Sequence, residues 1–174
     1  MDVRVIRSEK RQRTISARLE QGVLVVRLPA GMSAADEAQW IARMRDRVLA
    51  RQRAADLNAD DALRRRAAEL NRQYFGGALR LADIRYVANM EHRWGSCSTG
   101  QATIRLSDRL ANVPGWVRDY VIVHELAHLV RADHGPAFWK LVHRYPLAER
   151  ARGYLIALGF AEAADNGAAD AVEA

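Results

Sequence analysis

The apolar and polar positions in the first part of the chain alternate as they do in β-strands. This alternation, or a short run of β-branched residues, occurs in residues 3–7, 14–19 and 23–28. The second and third runs are separated by residues 20–22, which end in a glycine, as is typical of a hairpin turn. We therefore expect an N-terminal antiparallel β-hairpin region within residues 3–28.

Helical periodicity replaces this alternation over residues 33–75. Ser33 begins a pattern like a capping box, and apolar residues then recur at helical spacing into the mid-50s. A second helix is predicted from about Asp60 to Tyr74, because a pair of glycines follows it as a stop signal.

Strand and helix patterns are mixed over residues 82–159, which gives an α+β chain. The predicted strands cover 84–87 and 102–106, and helices are predicted from Pro114, from Gly135-Pro136 and over about 147–158. The polar run RWGSCS at residues 93–98 lies between the two strands and is predicted to be a compact loop.

Length and composition limit the number of domains. The chain has 174 residues, of which 49% are hydrophobic and 28% charged, so it can form one buried core. We expect a single domain over residues 1–160. Residues 161–174 are mostly alanine and acidic residues without an aromatic side chain, which predicts a disordered acidic tail.

Several absent features bear on location. No apolar run approaches the ~18–20 residues of a membrane span, and the charged N-terminus lacks the apolar segment of a secretory signal. Cys97 is the single cysteine, so no disulfide can form within the chain. We therefore expect a cytoplasmic protein without a membrane partner.

The charge is strongly basic. The net charge of +6 becomes +10 for residues 1–160, because residues 161–174 carry four carboxylates and no base. A basic body attracts nucleic acid or other polyanions. However, the arginines are interspersed with carboxylates, which is also the pattern of solvated helix faces.

The most informative motif is HExxH, formed by His124, Glu125 and His128 on a predicted helix. Two histidines four residues apart lie on one helix face, so both imidazoles can bind one Zn²⁺. Glu125 is offset from them and can take a proton from a metal-bound water without binding the metal. The apolar residues around the motif indicate a buried helix, in which histidines need partners.

The third metal ligand is His134 in our interpretation, although alternatives stay open. His134 follows His128 by six residues and immediately precedes a predicted helix start, so a turn can bring it back. His143 and Glu149 are the alternatives, because a ligand can come from a following helix. His143 can also be a packed core residue.

Three motifs together resemble the YgjP-like metallopeptidase family. They are RWGSCS at residues 93–98, HELAHL at 124–129, and the pattern HGxxFW at 134–139. The resemblance extends over roughly residues 4–160. Members of this family are zinc-dependent hydrolases related to the SprT/WSS-type minimal zincins.

The resemblance implies a zincin-like α+β fold and one Zn²⁺ per chain. It implies His124, His128 and His134 as zinc ligands and Glu125 as the general base. The implied activity is peptide hydrolysis, with a peptide or protein as substrate.

The RWGSCS run also contains candidates for substrate contact. Arg93 or Ser96 can bind substrate or support an oxyanion, and His92 beside them is a further donor in the transition state. Cys97 can be a nucleophile, a fourth ligand or an inert buried thiol. Alternatively, the run serves only to pack, turn and cap the backbone.

Three functions are therefore compatible with the sequence. The first is a zinc metalloendopeptidase that hydrolyses amide bonds through a metal-activated water with Glu125 as base. The second is a metal-dependent phosphohydrolase, such as a nucleotide pyrophosphohydrolase. The third is a SprT-like protein that associates with DNA.

Overall fold

The structure, a computed structural model, describes residues 2–90 and 92–166. The described residues form two compact units, which divide between residues 53 and 54. Both units combine strands with helix, so the predicted α+β class is confirmed. The prediction of one domain over residues 1–160 stays a prediction.

The first unit contains a three-stranded sheet with the order β1-β3-β2. Its strands are β1 (Val3–Ser8), β2 (Ser16–Glu20) and β3 (Val23–Pro29). β2 and β3 form the predicted antiparallel hairpin, whose turn residues Gln21 and Gly22 have φ of 49° and 82°. Turns of this handedness match the twist of the strands. β1 pairs with β3 in parallel, a long-range arrangement that alternation within β1 does not predict.

Helix α1 (Ala34–Leu57) begins where the capping pattern predicts. The Ser33 hydroxyl oxygen accepts a hydrogen bond from the backbone N–H of Asp36 at 3.2 Å, which satisfies one of the free amide groups of the first turn. The apolar stripe of the helix packs against the central strand. This small core consists of Leu24, Val26 and Leu28, with Trp40, Ile41 and Val48 packed on it.

The second unit holds the predicted metal-binding motif. Its elements are α2 (Ala62–Phe75), β4 (Asp83–Val87), β5 (Gly95–Ser98), β6 (Thr103–Ser107), a short 3-10 helix (Asp108–Ala111), α3 (Gly115–His128), α4 (Pro136–Val142) and α5 (Ala148–Asn166). The sheet order is β4-β6-β5, with β4 parallel and β5 antiparallel to β6.

The prediction of a compact loop at residues 93–98 is wrong for its second part. Gly95–Ser98 is strand β5, which pairs with β6 so that Gly95 lies opposite Leu106 and Cys97 opposite Ile104. A four-residue run of glycine, serine and cysteine has no apolar alternation of its own. Its extended conformation therefore depends on hydrogen bonds with β6 rather than on local propensity.

Helix α3 is the most buried helix of the second unit. Every residue from Tyr120 to Ala127 is buried, as the apolar residues flanking the HExxH motif predict. On one side it contacts α2, where the Arg66 guanidinium binds the Asp119 carboxylate through two hydrogen bonds of 3.0 and 2.7 Å. On its other sides, α3 contacts β5, α4 and α5. This packing fixes the position and rotation of the motif.

Helix α5 continues to Asn166, past Gly159, where the sequence pattern predicts its end. The alanines at 161, 163 and 164 have high helix propensity, which explains the extension. The tail predicted over 161–174 thus begins inside a helix, and its part from 167 onward lies outside the described residues. Among the described residues, no helix is long and apolar enough to cross a membrane.

Candidate metal centre

Three histidines converge at the end of α3. His124 and His128 lie one turn apart on the helix, and His134 lies in the segment between α3 and α4. One ring nitrogen from each lies within 4.8 Å of the other two. Nε2 of His134 and Nε2 of His124 are 3.3 Å apart.

A tight turn returns the chain to the helix end. The backbone N–H groups of Val130 and Arg131 both donate to the Ala127 carbonyl oxygen, at 3.0 and 2.9 Å, and so close the last turn of α3. Gly135 then begins α4, with Pro136 at its first position. The intervening residues thus bring His134 back, as its separation from His128 predicts.

Phe138 of α4 supports all three imidazoles. It is fully buried, and its ring centroid lies 4.8 Å from His124, 4.5 Å from His128 and 4.8 Å from His134. The phenyl ring contacts His124 and His134 edge-to-face and stacks on His128. Both are favourable arrangements for aromatic rings. The cluster therefore has a rigid apolar base.

The hydrogen bond of His128 determines which of its nitrogens faces the cluster. Its Nδ1 lies 3.1 Å from the Arg131 carbonyl oxygen. A carbonyl oxygen can only accept, so Nδ1 carries the proton and donates, and Nε2 is left with a free lone pair. His124 also directs Nε2 at His134, whereas its Nδ1 is buried without a hydrogen-bond partner.

The environment keeps two of the imidazoles neutral. Burial, and after it the neighbouring His128 and His134, lowers the pKa of His124 to about 3. Burial likewise lowers the pKa of His128, although its hydrogen bond to the Arg131 carbonyl opposes the shift. Neutral imidazole is the form that binds metals, and three converging nitrogen donors with space for a further ligand fit a divalent ion such as Zn²⁺.

Glu125 lies beside this cluster and faces β5. Its side chain is buried, and Oε2 has no hydrogen-bond partner. Burial raises the pKa of Glu125 to about 8, while the nearby positive charge of Arg93 acts in the opposite direction. The carboxylate is therefore near the histidine cluster but not part of it, as expected for a base rather than a ligand.

A cavity of about 350 Å³ opens over the cluster. It is lined by the three histidines, Glu125, Tyr120 and residues of β5 together with Arg93. The hydroxyl of Tyr120 is buried and has no hydrogen-bond partner. Three polar groups at one cavity, Tyr120, His124 and Glu125, thus have unused hydrogen-bonding capacity.

The other predicted candidates are distributed unevenly. Arg93, Ser96 and Cys97 line the cavity, whereas His92 is exposed and is not among the lining residues. Burial, and after it the charge of Glu125, raises the pKa of Cys97 to about 11, which keeps the thiol protonated at neutral pH. Within the described residues, the histidine cluster that could hold a metal does not include Cys97.

The two alternative third ligands bind each other instead of joining the cluster. Nε2 of His143 lies 2.7 Å from Oε1 of Glu149, and both side chains are exposed. His143, which follows the last residue of α4, is therefore not a packed core residue either, because it is exposed. Among the described residues, the geometry favours His134.

Gly95 and Tyr120 line the cavity but are not among the site residues that the sequence predicts. The sequence places Gly95 only in the predicted loop, although a glycine inside a strand commonly marks a close approach of another group. Tyr120 lies one helical turn before His124, which places it on the same helix face as His124 and His128. That spacing is the signal that identifies it.

Comparison with known proteins supports a metallopeptidase. Residues 82–155 match the family model described as "YgjP-like, metallopeptidase domain". No curated protein matches the chain. One solved structure, the metallopeptidase zymogen of Pyrococcus abyssi abylysin, is similar with 21% identity and a TM-score of 0.46, covering 52% of this chain and 90% of that chain. That likeness is too distant to add weight to the family match. Over residues 82–155, this chain is therefore similar to the YgjP-like metallopeptidase domain.

Proposed function

We propose that this chain is a zinc-dependent metalloendopeptidase. The observation that carries the proposal is the convergence of three histidine nitrogens within 4.8 Å beside a buried carboxylate, at a cavity. In the proposal, His124, His128 and His134 hold one Zn²⁺ per chain, and Glu125 is the general base. The match of residues 82–155 to a metallopeptidase domain supports the same activity.

The three histidines have the chemistry that the proposed ion requires. Nε2 of His124 and Nε2 of His128 are the free nitrogens, the second because Nδ1 is engaged by the Arg131 carbonyl. When bound, the zinc ion polarises a carbonyl and lowers the pKa of water. Nδ1 of His124, the other ring nitrogen, is buried and has no hydrogen-bond partner.

Glu125 moves the proton in this mechanism. Its carboxylate takes a proton from the attacking water and delivers it to the leaving nitrogen, so one residue acts first as base and then as acid. Burial raises its pKa in the metal-free protein to about 8. A bound cation favours the ionised form, which brings the pKa toward the neutral range where a shuttle works best.

Strand β5 is the proposed support for the substrate. It lies at the edge of its sheet in the order β4-β6-β5 and lines the cavity, so an extended peptide can add to it as a further strand. A phosphate-cleaving site needs several cations around the phosphate. Among the described residues that line this cavity, Arg93 is the side chain with a permanent positive charge, which favours the peptide.

The substrate class can be tested with blocked peptides. The zinc-loaded protein should cleave peptides that carry an N-terminal acetyl and a C-terminal amide group, because an endopeptidase needs no free terminus. A panel of nucleoside di- and triphosphates under the same conditions should release neither phosphate nor pyrophosphate. Release of either without peptide cleavage would replace this proposal by a phosphohydrolase. A zinc chelator should abolish cleavage, and added zinc should restore it.

A further inference from the structure

The backbone of Gly95 lies in direct contact with the side chain of Glu125. A Cβ atom built on Gly95 would overlap Oε1 of Glu125 and would lie 2.9 Å from both Cδ and Cγ. Real Cβ atoms do not approach other heavy atoms this closely. Three consecutive atoms of the Glu125 side chain therefore occupy the space that any other residue at position 95 would need.

The conformation of Gly95 does not itself require glycine. Gly95 belongs to the extended strand β5 and is not among the residues with positive φ. Glycine weakens a strand because it contributes no packing and has a large entropy in the unfolded chain. The close approach to Glu125 is thus the physical reason for glycine at this position.

Neither backbone can move away to relieve such an overlap. β5 is fixed by its pairing of Gly95 with Leu106, and the N–H of Ser107 donates to the Trp94 carbonyl oxygen at 2.9 Å. Trp94 is itself buried, with the guanidinium of Arg109 stacked 4.1 Å from its ring centroid. The helix that carries Glu125 is buried from Asp119 to Ala127. A side chain at position 95 would therefore displace the Glu125 carboxylate itself.

We propose that Gly95 is a positioning residue, whose missing side chain lets the Glu125 carboxylate lie against the β5 backbone at the edge of the metal centre. This inference rests on the proposed role of Glu125 as base. Ser96 follows Gly95 in the strand and pairs with Arg105 of β6, which is exposed. The position of the base is thus set by the residue of the RWGSCS run that has no side chain.

The contact can be tested without any activity, by a double-mutant cycle on metal-free protein. Gly95→Ala should lower the melting temperature by about 3–10 °C, because the added methyl overpacks a buried site. Glu125→Ala removes Cγ, Cδ and Oε1, so Gly95→Ala in that background should lower the melting temperature far less. If Gly95→Ala does not fold, Gly95→Ala/Glu125→Ala should. Equal effects in both backgrounds, or two unfolded variants, would overturn the contact.

The positioning role is tested by splitting kinetics from metal binding. Gly95→Ala should keep one zinc per chain and an unchanged KM, while kcat for a blocked peptide falls about 10²-fold, because the base is misplaced by about 1 Å. Gly100→Ala is the matched control, since a Cβ at Gly100 meets nothing within 4 Å and its φ is ordinary. An unchanged kcat in Gly95→Ala would overturn the role. A wild type that cleaves no peptide would instead refute the proposed function, and the stability cycle would still decide the contact.

Discussion

Arg66 on α2 binds Asp119 on α3 through two parallel hydrogen bonds, from Nε to Oδ1 at 3.0 Å and from Nη2 to Oδ2 at 2.7 Å. Asp119 is buried and lies one residue before Tyr120, at the start of the segment that carries the metal-binding motif. This pair raises the pKa of Arg66 further above its ordinary value, mainly through the hydrogen bonds to Asp119. It fixes α3 relative to α2.

The first prediction concerns this pair. Asp119→Asn keeps the size of the side chain but removes the charge, so the free energy of unfolding should fall by about 1.5–3 kcal/mol, as for hydrogen bonds between charged groups. Glu69→Gln is the control, because Glu69 also binds Arg66 at 2.8 Å but is exposed. Its effect should be no more than about 0.5 kcal/mol. Urea unfolding measures both, and equal values would show that the buried pair has no special weight.

The second prediction separates His134 from the alternative ligand His143. His134→Ala should raise the dissociation constant for zinc by more than about 100-fold, since losing a partner of a ligand already weakens binding 10–100-fold. His143→Ala should leave zinc binding unchanged, because His143 binds the exposed Glu149. Competition with a chromogenic chelator measures both constants. Tight zinc in His134→Ala with loss in His143→Ala would move the third ligand to the later helices.

The third prediction is a pH dependence of the metal-free protein. The pKa of Glu125 is about 8 in the folded protein and 4.5 in its ordinary state, so the folded state retains a proton that the unfolded state loses. The contribution of protonated Glu125 to the free energy of unfolding is complete below pH 4.5 and is lost as the pH rises to about 8. His124 lowers the free energy of unfolding as the pH falls below 6.5. There the unfolded chain takes up a proton that the folded protein, in which the pKa of His124 is about 3, does not.

Above pH 6.5, the pH dependence of the free energy of unfolding therefore reports on Glu125 and not on His124. Between pH 6.5 and 8, the free energy of unfolding of the wild type should fall by about 1 kcal/mol per pH unit relative to Glu125→Gln, which cannot titrate. Chemical unfolding at a series of pH values gives the difference directly. Parallel curves for the two proteins would mean that Glu125 is not buried in its protonated form.

The fourth prediction concerns the thiol. Cys97 lines the cavity, but its pKa of about 11 keeps it protonated, and it is not in the histidine cluster among the described residues. Cys97→Ala should therefore keep zinc content and turnover within about twofold of the wild type. Metal analysis and a peptide cleavage assay check this. Loss of zinc would identify a fourth ligand, and loss of turnover with zinc retained would identify a nucleophile.

The parts of this fold that are predictable from the sequence are those with local signals. The glycine turn of the N-terminal hairpin, the cap at Ser33 and the end of α2 at Gly76 all depend on neighbouring residues. The shared helix face of His124 and His128 is also predictable locally, because residues one helical turn apart lie on the same face.

The parts that were missed depend on residues distant in the sequence. β5 has no strand pattern of its own and becomes a strand by pairing with β6. β1 pairs in parallel with β3, although β2 lies between these two strands in the sequence. The role of Gly95 requires knowing that Glu125 lies against it, and no local pattern contains that contact.

Glu125→Gln tests whether Glu125 is the general base for a water at a metal that three histidines hold. Glutamine keeps the shape of the side chain and removes the base. Wild type and variant should each hold one zinc per chain, while kcat for a blocked peptide falls by ~10²–10⁴ in the variant. Loss of zinc from the variant would make Glu125 a ligand, and unchanged turnover with zinc retained would contradict its role as the base.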